Sequence, residues 1–383
     1  MYIPFHKPYI TEDEVSGLLD TVRSGWLTMG PKTFEFEREF LSYVGSEHAV
    51  AVNSGTSALH LALKAIDLKE GEEVIVPTMT FTATAEVVCY CNAKPVLVDI
   101  DRTTGNIDIS AVEKAITPRT RAIIPVHYGG LPCDMDQISD IAEANKLFVI
   151  EDAAHSLPAS YKGKPVGSIG DLTCFSFYAT KPLAAGEGGM VTTENEEWAE
   201  RMRILRLHGI SKDAWKRYSN GGSWYYEVLE TGYKYNMTDL QASLGLSQLR
   251  KLDKMWEMRK HIAQKYTEAF SDVEQLITPY LNSDRVSSYH LYALKINPGV
   301  LNIDRAEFIE ILKERGIGTS VHFIPLHRHP FYQNAFSYGV EDFPEAEWVY
   351  ERIISLPIYP GMSEAEVGYV IQTVTDVCEK HRK

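Results

Sequence analysis

Apolar residues in this chain follow two kinds of pattern, and the change between them divides it. Through the first two thirds, short β-rich runs alternate with stretches of helical spacing. The runs HAVAV (48–52), EEVIVP (72–77), KPVLVDI (94–100), RAIIPVHY (121–128), LFVIEDAA (147–154), LTCFSFYA (172–179) and GMVTTE (189–194) predict strands. Several are continuously apolar, as befits strands covered on both faces. Between them, SALHLALKAI (57–66) and DMDQISDIAEANK (134–146) predict helices. Strand–helix alternation implies an α/β layer around a mostly parallel sheet, where ligands gather beyond the strand ends.

Near residue 238 the pattern changes. TDLQASLGLSQLRKLDKMWEMRKHIAQKYTEAF (238–270) reads as one or two long amphipathic helices. Alternating runs follow, SSYHLYALKI (287–296) and GTSVHFIP (318–325), with the helical AEFIEILKERG (306–316) between them. We expect a large α/β domain over residues 1–245 and a smaller α+β domain over 246–383.

Composition narrows the functional classes. A net charge of −14 over 383 residues argues against general nucleic-acid binding, which needs clustered Lys and Arg. The five cysteines are odd in number and include no CxxC pair, so neither a disulfide framework nor a zinc ribbon is expected. No window approaches the ~20 apolar residues of a membrane span, and the first residues, MYIPFHKPYITEDE, do not read as a signal peptide. The expectation is a soluble, cytoplasmic protein.

Four local features point to one chemistry. NSGTSALHLAL (53–63) follows a strand and opens a helix, so Gly55 and Thr56 would offer backbone N–H groups to a phosphate. VIEDAAH (149–155) ends an apolar strand on Asp152, a carboxylate in need of a cationic partner, with His155 close behind. FSFYATKPLAAGEGG (175–189) carries a lone lysine, Lys181, which we expect to end its strand because a proline follows. Burial would lower the pKa of its amine and make it a nucleophile for carbonyls. Ser176, five residues earlier, could reach the same phosphate. TMTFTATAE (78–86) supplies Phe81 as an aromatic plate. Each feature has an ordinary reading by itself: a helix cap, a structural hydrogen bond, a snorkelling lysine, a core aromatic. Together they are what pyridoxal 5′-phosphate requires. The histidines of HFIPLHRH (322–329) lack a matching carboxylate or cysteine, so no metal is expected.

These stretches, with SGWLTMGP (24–31), AIIPVHYGG (122–130), GYKYNMTDLQASLG (232–245) and SLPIYPGM (355–362), resemble the DegT/DnrJ/EryC1/StrS family of nucleotide-sugar aminotransferases. Within it the chain is most similar to the subgroup containing UDP-4-amino-4-deoxy-L-arabinose aminotransferase. The resemblance implies fold type I of the pyridoxal phosphate enzymes, a large domain with a mostly parallel mixed sheet and a small α+β domain. It also implies a homodimer with shared active sites, L-glutamate as amino donor, and a nucleotide-linked keto-sugar, 4-keto by subgroup, as acceptor. Carried over by position, Lys181 would bind the cofactor aldehyde, Asp152 its ring nitrogen, and His155 would lie near its ring hydroxyl. Gly55, Thr56 and Ser176 would hold the phosphate, and Phe81 would cover the ring. GYKYN would reach in from the partner subunit, with Lys234 or Asn236 on the phosphate. Tyr178, His322 and His329 are candidate sugar contacts, and Lys234 and Arg206 candidate diphosphate contacts. Tyr178 stands where the subgroup usually has His and also occurs in some sugar 3-aminotransferases. A sugar 3-aminotransferase, an aminocyclitol aminotransferase and a cofactor-binding regulator are the alternatives.

Overall fold

A computed structural model of the chain describes residues 1–211 and 225–383. The apolar runs form one sheet: β1 (His48–Val52), β2 (Glu73–Pro77), β3 (Lys94–Val98), β4 (Thr120–Ile123), β5 (Phe148–Asp152), β6 (Leu172–Ser176) and β7 (Gly189–Thr193). Their order is β1-β7-β6-β5-β4-β2-β3. The β5/β6, β5/β4, β4/β2 and β2/β3 pairs are parallel, whereas β7 runs antiparallel to both β6 and β1. The sheet is therefore mostly parallel and mixed, as fold type I requires.

Continuous apolar runs arise because both faces are covered. Val74, Val76 and Ile150 face one hydrophobic cluster, and their neighbours Ile75 and Val149 face another. Strands end sooner than the runs do. Pro125 has no N–H to give, and beyond Ile123 the β4 run keeps only a single bridge, between Val126 and Asp152. The β6 run leaves its ladder after Ser176, where the Phe177 N–H turns to the Gly188 carbonyl (2.9 Å).

The 238–270 stretch forms two helices, Asp239–Leu249 and Leu252–Phe270. The first crosses the expected division at 245/246. Its Leu246 and Leu249 share a cluster with Phe36 and Phe40, and the carboxylate of Asp239 accepts bonds from the backbone N–H groups of Gly30, Lys32 and Thr33 at 2.8–3.0 Å. Those N–H groups open the helix Pro31–Val44, so a side chain some two hundred residues away caps it.

A separate cluster joins Ile262, Tyr266 and Phe270 to Leu294, Phe308, Val370 and Val374, and draws in Ile3 from the start of the chain. Its three-stranded antiparallel sheet holds β8 (Leu276–Ile277), β9 (Tyr292–Ile296) and β10 (Ile353–Leu356), with β9 central. GTSVHFIP contributes one bridge, Ser320 to Ser355, before departing from the sheet. That departure brings His322 and Phe323 to the cavity described next. No helix among the described residues is long and apolar enough to cross a membrane.

Candidate active site

β7 sets the geometry of the site. Gly189 at its start lies opposite both Val52, the end of β1, and Ser176, the end of β6. The segments leaving β1, β5 and β6 therefore open into the same space, a cavity of about 580 Å³.

After β1, Ser54 caps the helix Gly55–Ala65 by accepting the Ser57 N–H at 3.0 Å. A Cβ on Gly55 would stand 2.8 Å from the Ser176 Cβ, so glycine is what lets the helix start approach that serine. Free N–H groups at a helix N-terminus, two hydroxyls (Thr56 and Ser176) and close backbone approach make an anion cradle.

Asp152 ends β5, 5% exposed. One oxygen accepts the Thr84 hydroxyl at 2.8 Å and the other the Ala154 N–H at 3.1 Å. Burial raises the carboxyl pKa, opposed by these donors and by the charge of Lys181. Its neighbour Glu151 points to the opposite face, where His127 Nε2 (2.8 Å), the Thr173 hydroxyl (2.7 Å) and the Gly170 N–H (2.8 Å) engage both its oxygens. Asp152 instead keeps acceptor capacity that faces the cavity.

Lys181 lies in the same cavity, but not at the end of its strand. β6 stops five residues earlier, and the Lys181 N–H closes a turn on the Tyr178 carbonyl (2.9 Å). The proline effect was read correctly as ending regular structure and placed too late. Burial lowers the ammonium pKa to about 8, partly offset by Asp152. An amine of this kind is free base often enough near neutral pH to attack a carbonyl.

A group of imidazoles lines the same cavity. His155 and His290 are 5% and 7% exposed, their ring centroids 4.4 Å apart, and neither Nδ1 has a hydrogen-bond partner among the described residues. The His155 ring stacks on Phe323 at 5.8 Å, and His322 completes the group. Burial, and next the charge of Lys181 or a neighbouring imidazole, pushes the pKa of His155, His290 and His322 down, the last to about 4, so all three are neutral near pH 7.

Of the other sequence candidates, Phe81 and Tyr178 line the cavity and are partly exposed, Phe81 with its ring 6.3 Å from Phe323. His329 lines an adjoining cavity of about 430 Å³ that shares Thr80, Phe81, Val321 and Phe323 with the first. Lys234 is exposed and Asn236 buried, and neither lines this chain's own cavity. Arg206 is a correction: its guanidinium is buried against Glu37 and the Ala51 carbonyl, so it is not available to a diphosphate here. Thr84, His290 and Phe323 were missed. Thr84 lay inside the stretch read for Phe81; its hydroxyl meets that of Thr80, in the bend before the helix Ala83–Tyr90, and donates to Asp152. His290, within an alternating apolar run, gave no signal.

The residues fit a pyridoxal phosphate. An anion cradle, an amine and a carboxylate in one cavity, and two buried imidazole nitrogens without partners match its phosphate, aldehyde, ring nitrogen and ring hydroxyl. Comparison with known proteins agrees. The model of the DegT/DnrJ/EryC1/StrS aminotransferase family matches residues 8–375. The chain belongs to that family. It is 56% identical over 381 residues to an uncharacterized protein of Methanocaldococcus jannaschii, covering 100% of this chain and 99% of that one. To the spore coat polysaccharide biosynthesis protein SpsC of Bacillus subtilis it is 52% identical over 377 residues, covering 98% and 97%. Among solved structures it is similar to the putative sugar aminotransferase Spr1654 of Streptococcus pneumoniae in its PMP form, at a TM-score of 0.93 and 37% identity over 99% and 98% of the chains. The PLP form of Spr1654 superposes with the same TM-score. This DegT/DnrJ/EryC1/StrS member is thus a pyridoxal phosphate-dependent sugar aminotransferase of fold type I, which sets the regulator alternative aside.

Proposed function

We propose that the enzyme moves an amino group from L-glutamate to a nucleotide-linked 4-keto sugar, in the cytoplasm, to make an amino sugar for a surface polysaccharide. The observation that carries the reading is the pairing, in one cavity, of an amine drawn down to about 8 with a buried carboxylate that has acceptor capacity to spare. When bound, pyridoxal phosphate supplies an aldehyde to hold amines and a ring that draws electrons from the carbon beside them.

Lys181 would hold that aldehyde. Once displaced by the donor, its Nζ would take the proton from the carbon bearing the amino group and later return one to the acceptor's former carbonyl carbon. Asp152 would hold the ring nitrogen protonated. Thr84 and the Ala154 N–H, which each hold one of its oxygens, would fix the carboxylate for that partner. Gly55, Thr56 and Ser176 would take the phosphate, His155 the ring hydroxyl, and Phe81 would cover the ring and keep water off it. Tyr178, His322 and His329 would meet the sugar nucleotide across the two joined cavities.

Lys181 is the sole Lys or Arg lining the main cavity among the described residues. A glutamate carboxylate and a diphosphate need further cations, which supports a homodimer in which the partner's GYKYN segment, with Lys234 or Asn236, completes the site. Exposed Val15, Leu19, Val22 and Leu27 near the start of the chain offer an apolar face for such pairing. The relation to SpsC supports a polysaccharide precursor as product. Tyr178 on the cavity rim favours a second reading, a 3-keto sugar.

The test is a two-stage assay. Cofactor-loaded enzyme with L-glutamate should release one 2-oxoglutarate per site and lose its visible absorbance. The aminated form should then be offered a panel of 4-keto and 3-keto nucleotide sugars and ketocyclitols. Turnover with the 4-keto sugars supports the proposal, turnover confined to 3-keto sugars or ketocyclitols replaces it, and no glutamate half-reaction overturns the donor.

A further inference from the structure

The segment Ile3–His6 touches three parts of the molecule, two of which border the active site. Ile3 is fully buried in the second cluster and pairs in parallel with Ile317: its N–H donates to the Gly316 carbonyl and its carbonyl accepts the Gly318 N–H, both at 2.8 Å. A Cβ on Gly318 would lie 2.7 Å from the Phe5 nitrogen, so the passage is close enough to demand glycine. Two residues on, the Phe5 ring stacks on His322 at 5.4 Å and 29°. His6 Nε2 then meets the Ala179 carbonyl at 3.1 Å. Ala179 lies within the turn closed by Tyr178 and Lys181. Farther along, the Tyr9 carbonyl accepts from Gln248 Nε2 at 2.9 Å, which fastens the other end.

We infer that Phe5 and His6 are positioning residues of the aminotransferase: a strap anchored at Ile3 and Tyr9 holds the Lys181 turn at Ala179 and the sugar-side imidazole at His322 in one fixed relation. Neither touches the lysine amine. Their contribution is to the placement of Lys181 Nζ relative to the imidazoles, which a free turn would lose. A carbonyl accepts, so His6 Nε2 carries the proton; burial, and next the charge of Arg259, keeps the ring neutral by lowering its pKa to about 4. The bond therefore persists across the working pH range. The inference rests on Lys181 being the cofactor lysine, which borohydride reduction and peptide mapping of the wild-type enzyme test independently.

Once that mapping is in hand, the test compares His6→Ala with His6→Gln, whose amide can reach the same carbonyl. His6→Ala should lower kcat about tenfold, since small misplacements of a reacting group carry penalties of that order. Its KM for L-glutamate should stay within about twofold of wild type. The pH midpoint of the enzyme's visible cofactor band should rise, because water admitted to a loosened turn stabilises the charged nitrogen. His6→Gln should restore kcat and midpoint. A His6→Ala enzyme that melts like wild type and keeps wild-type kcat and midpoint overturns the strap, as does a loss that His6→Gln fails to repair.

Discussion

The two walls of the cavity are built on opposite plans. One consists of strand ends and a helix start, and its polar groups are oriented by defined partners: Ser54 by Ser57, Asp152 by Thr84 and Ala154. The other consists of His155, His290, His322 and Phe323, packed ring against ring, with two imidazole nitrogens left without partners. The first wall holds charge and the second excludes it. A buried carboxylate and an amine that feel each other's charge lie on one side, and on the other burial keeps three titratable rings neutral. Such a division suits a cofactor whose charged ring nitrogen and phosphate need fixed partners, while its reacting carbon needs a dry boundary.

Removing the amine from the first wall is the harshest way to break the comparison. Lys181→Ala should lower kcat by roughly 10⁴-fold or more, the scale seen when a catalytic nucleophile or base is lost. Circular dichroism and gel filtration should match wild type, because the turn around residue 181 is held by backbone bonds. Retained turnover would remove the lysine, and with it the chemistry, from this wall.

A smaller contrast sits within one strand. Asp152 and Glu151 are adjacent carboxylates on opposite faces of β5, and only the first faces the cavity. Asp152→Asn should cost about 10³-fold in kcat, comparable with losing a preorganised electrostatic partner, with little change in melting temperature. Glu151→Gln should do the reverse. An amide turns an N–H₂ toward at least one of the three donors now satisfied, which costs about 1–3 kcal/mol of stability, while kcat per folded molecule stays near wild type. Equal kinetic losses from both variants would show that the two faces do not differ in function.

The same two plans explain what the sequence could tell. The first wall was legible, because strand ends and helix starts are local events: HAVAV followed by NSGTSALHLAL, or VIEDAAH, announces both the element and the residue that leaves it. The mostly parallel α/β layer followed from continuous apolar runs whose alternate residues find cover on both faces, whereas fold type I followed from the family resemblance. Strand lengths were overcalled where a proline or a return loop removed ladder partners, at Pro125 and after Ser176. The second wall was legible only in part: His155 and His322 stood among the candidates and line the cavity, but the other two rings were not read. His290 stands in an alternating run that looks like any half-buried strand, and Phe323 in a loop read for its histidines. They reach the cavity through long-range packing that no local pattern encodes. Arg206 was misread for a related reason. Its partner Glu37 lies far away in sequence, so a buried ion pair looked like a spare cation.

The smallest effect, and the sharpest test of the comparison, is the pH at which each wall yields. For His290, burial holds the folded pKa well below the ordinary 6.5. Between those values the unfolded chain binds more protons than the folded one, so stability falls as pH drops through that window. For Lys181 the folded value of about 8 lies below the ordinary 10.5, so the cost of burying its charge is present below pH 8 and fades as pH rises toward 10. Cofactor-free protein should show both slopes separately. Relative to His290→Phe, wild type should lose melting temperature on acidification from pH 6.5 to 4.5, by on the order of 2 °C. Relative to Lys181→Met, it should gain a similar amount from pH 7.5 to 9.5. If the His290 variant changes the alkaline slope, or the lysine variant changes only the acid one, the division of charge between the walls is wrong, even if every contact is right.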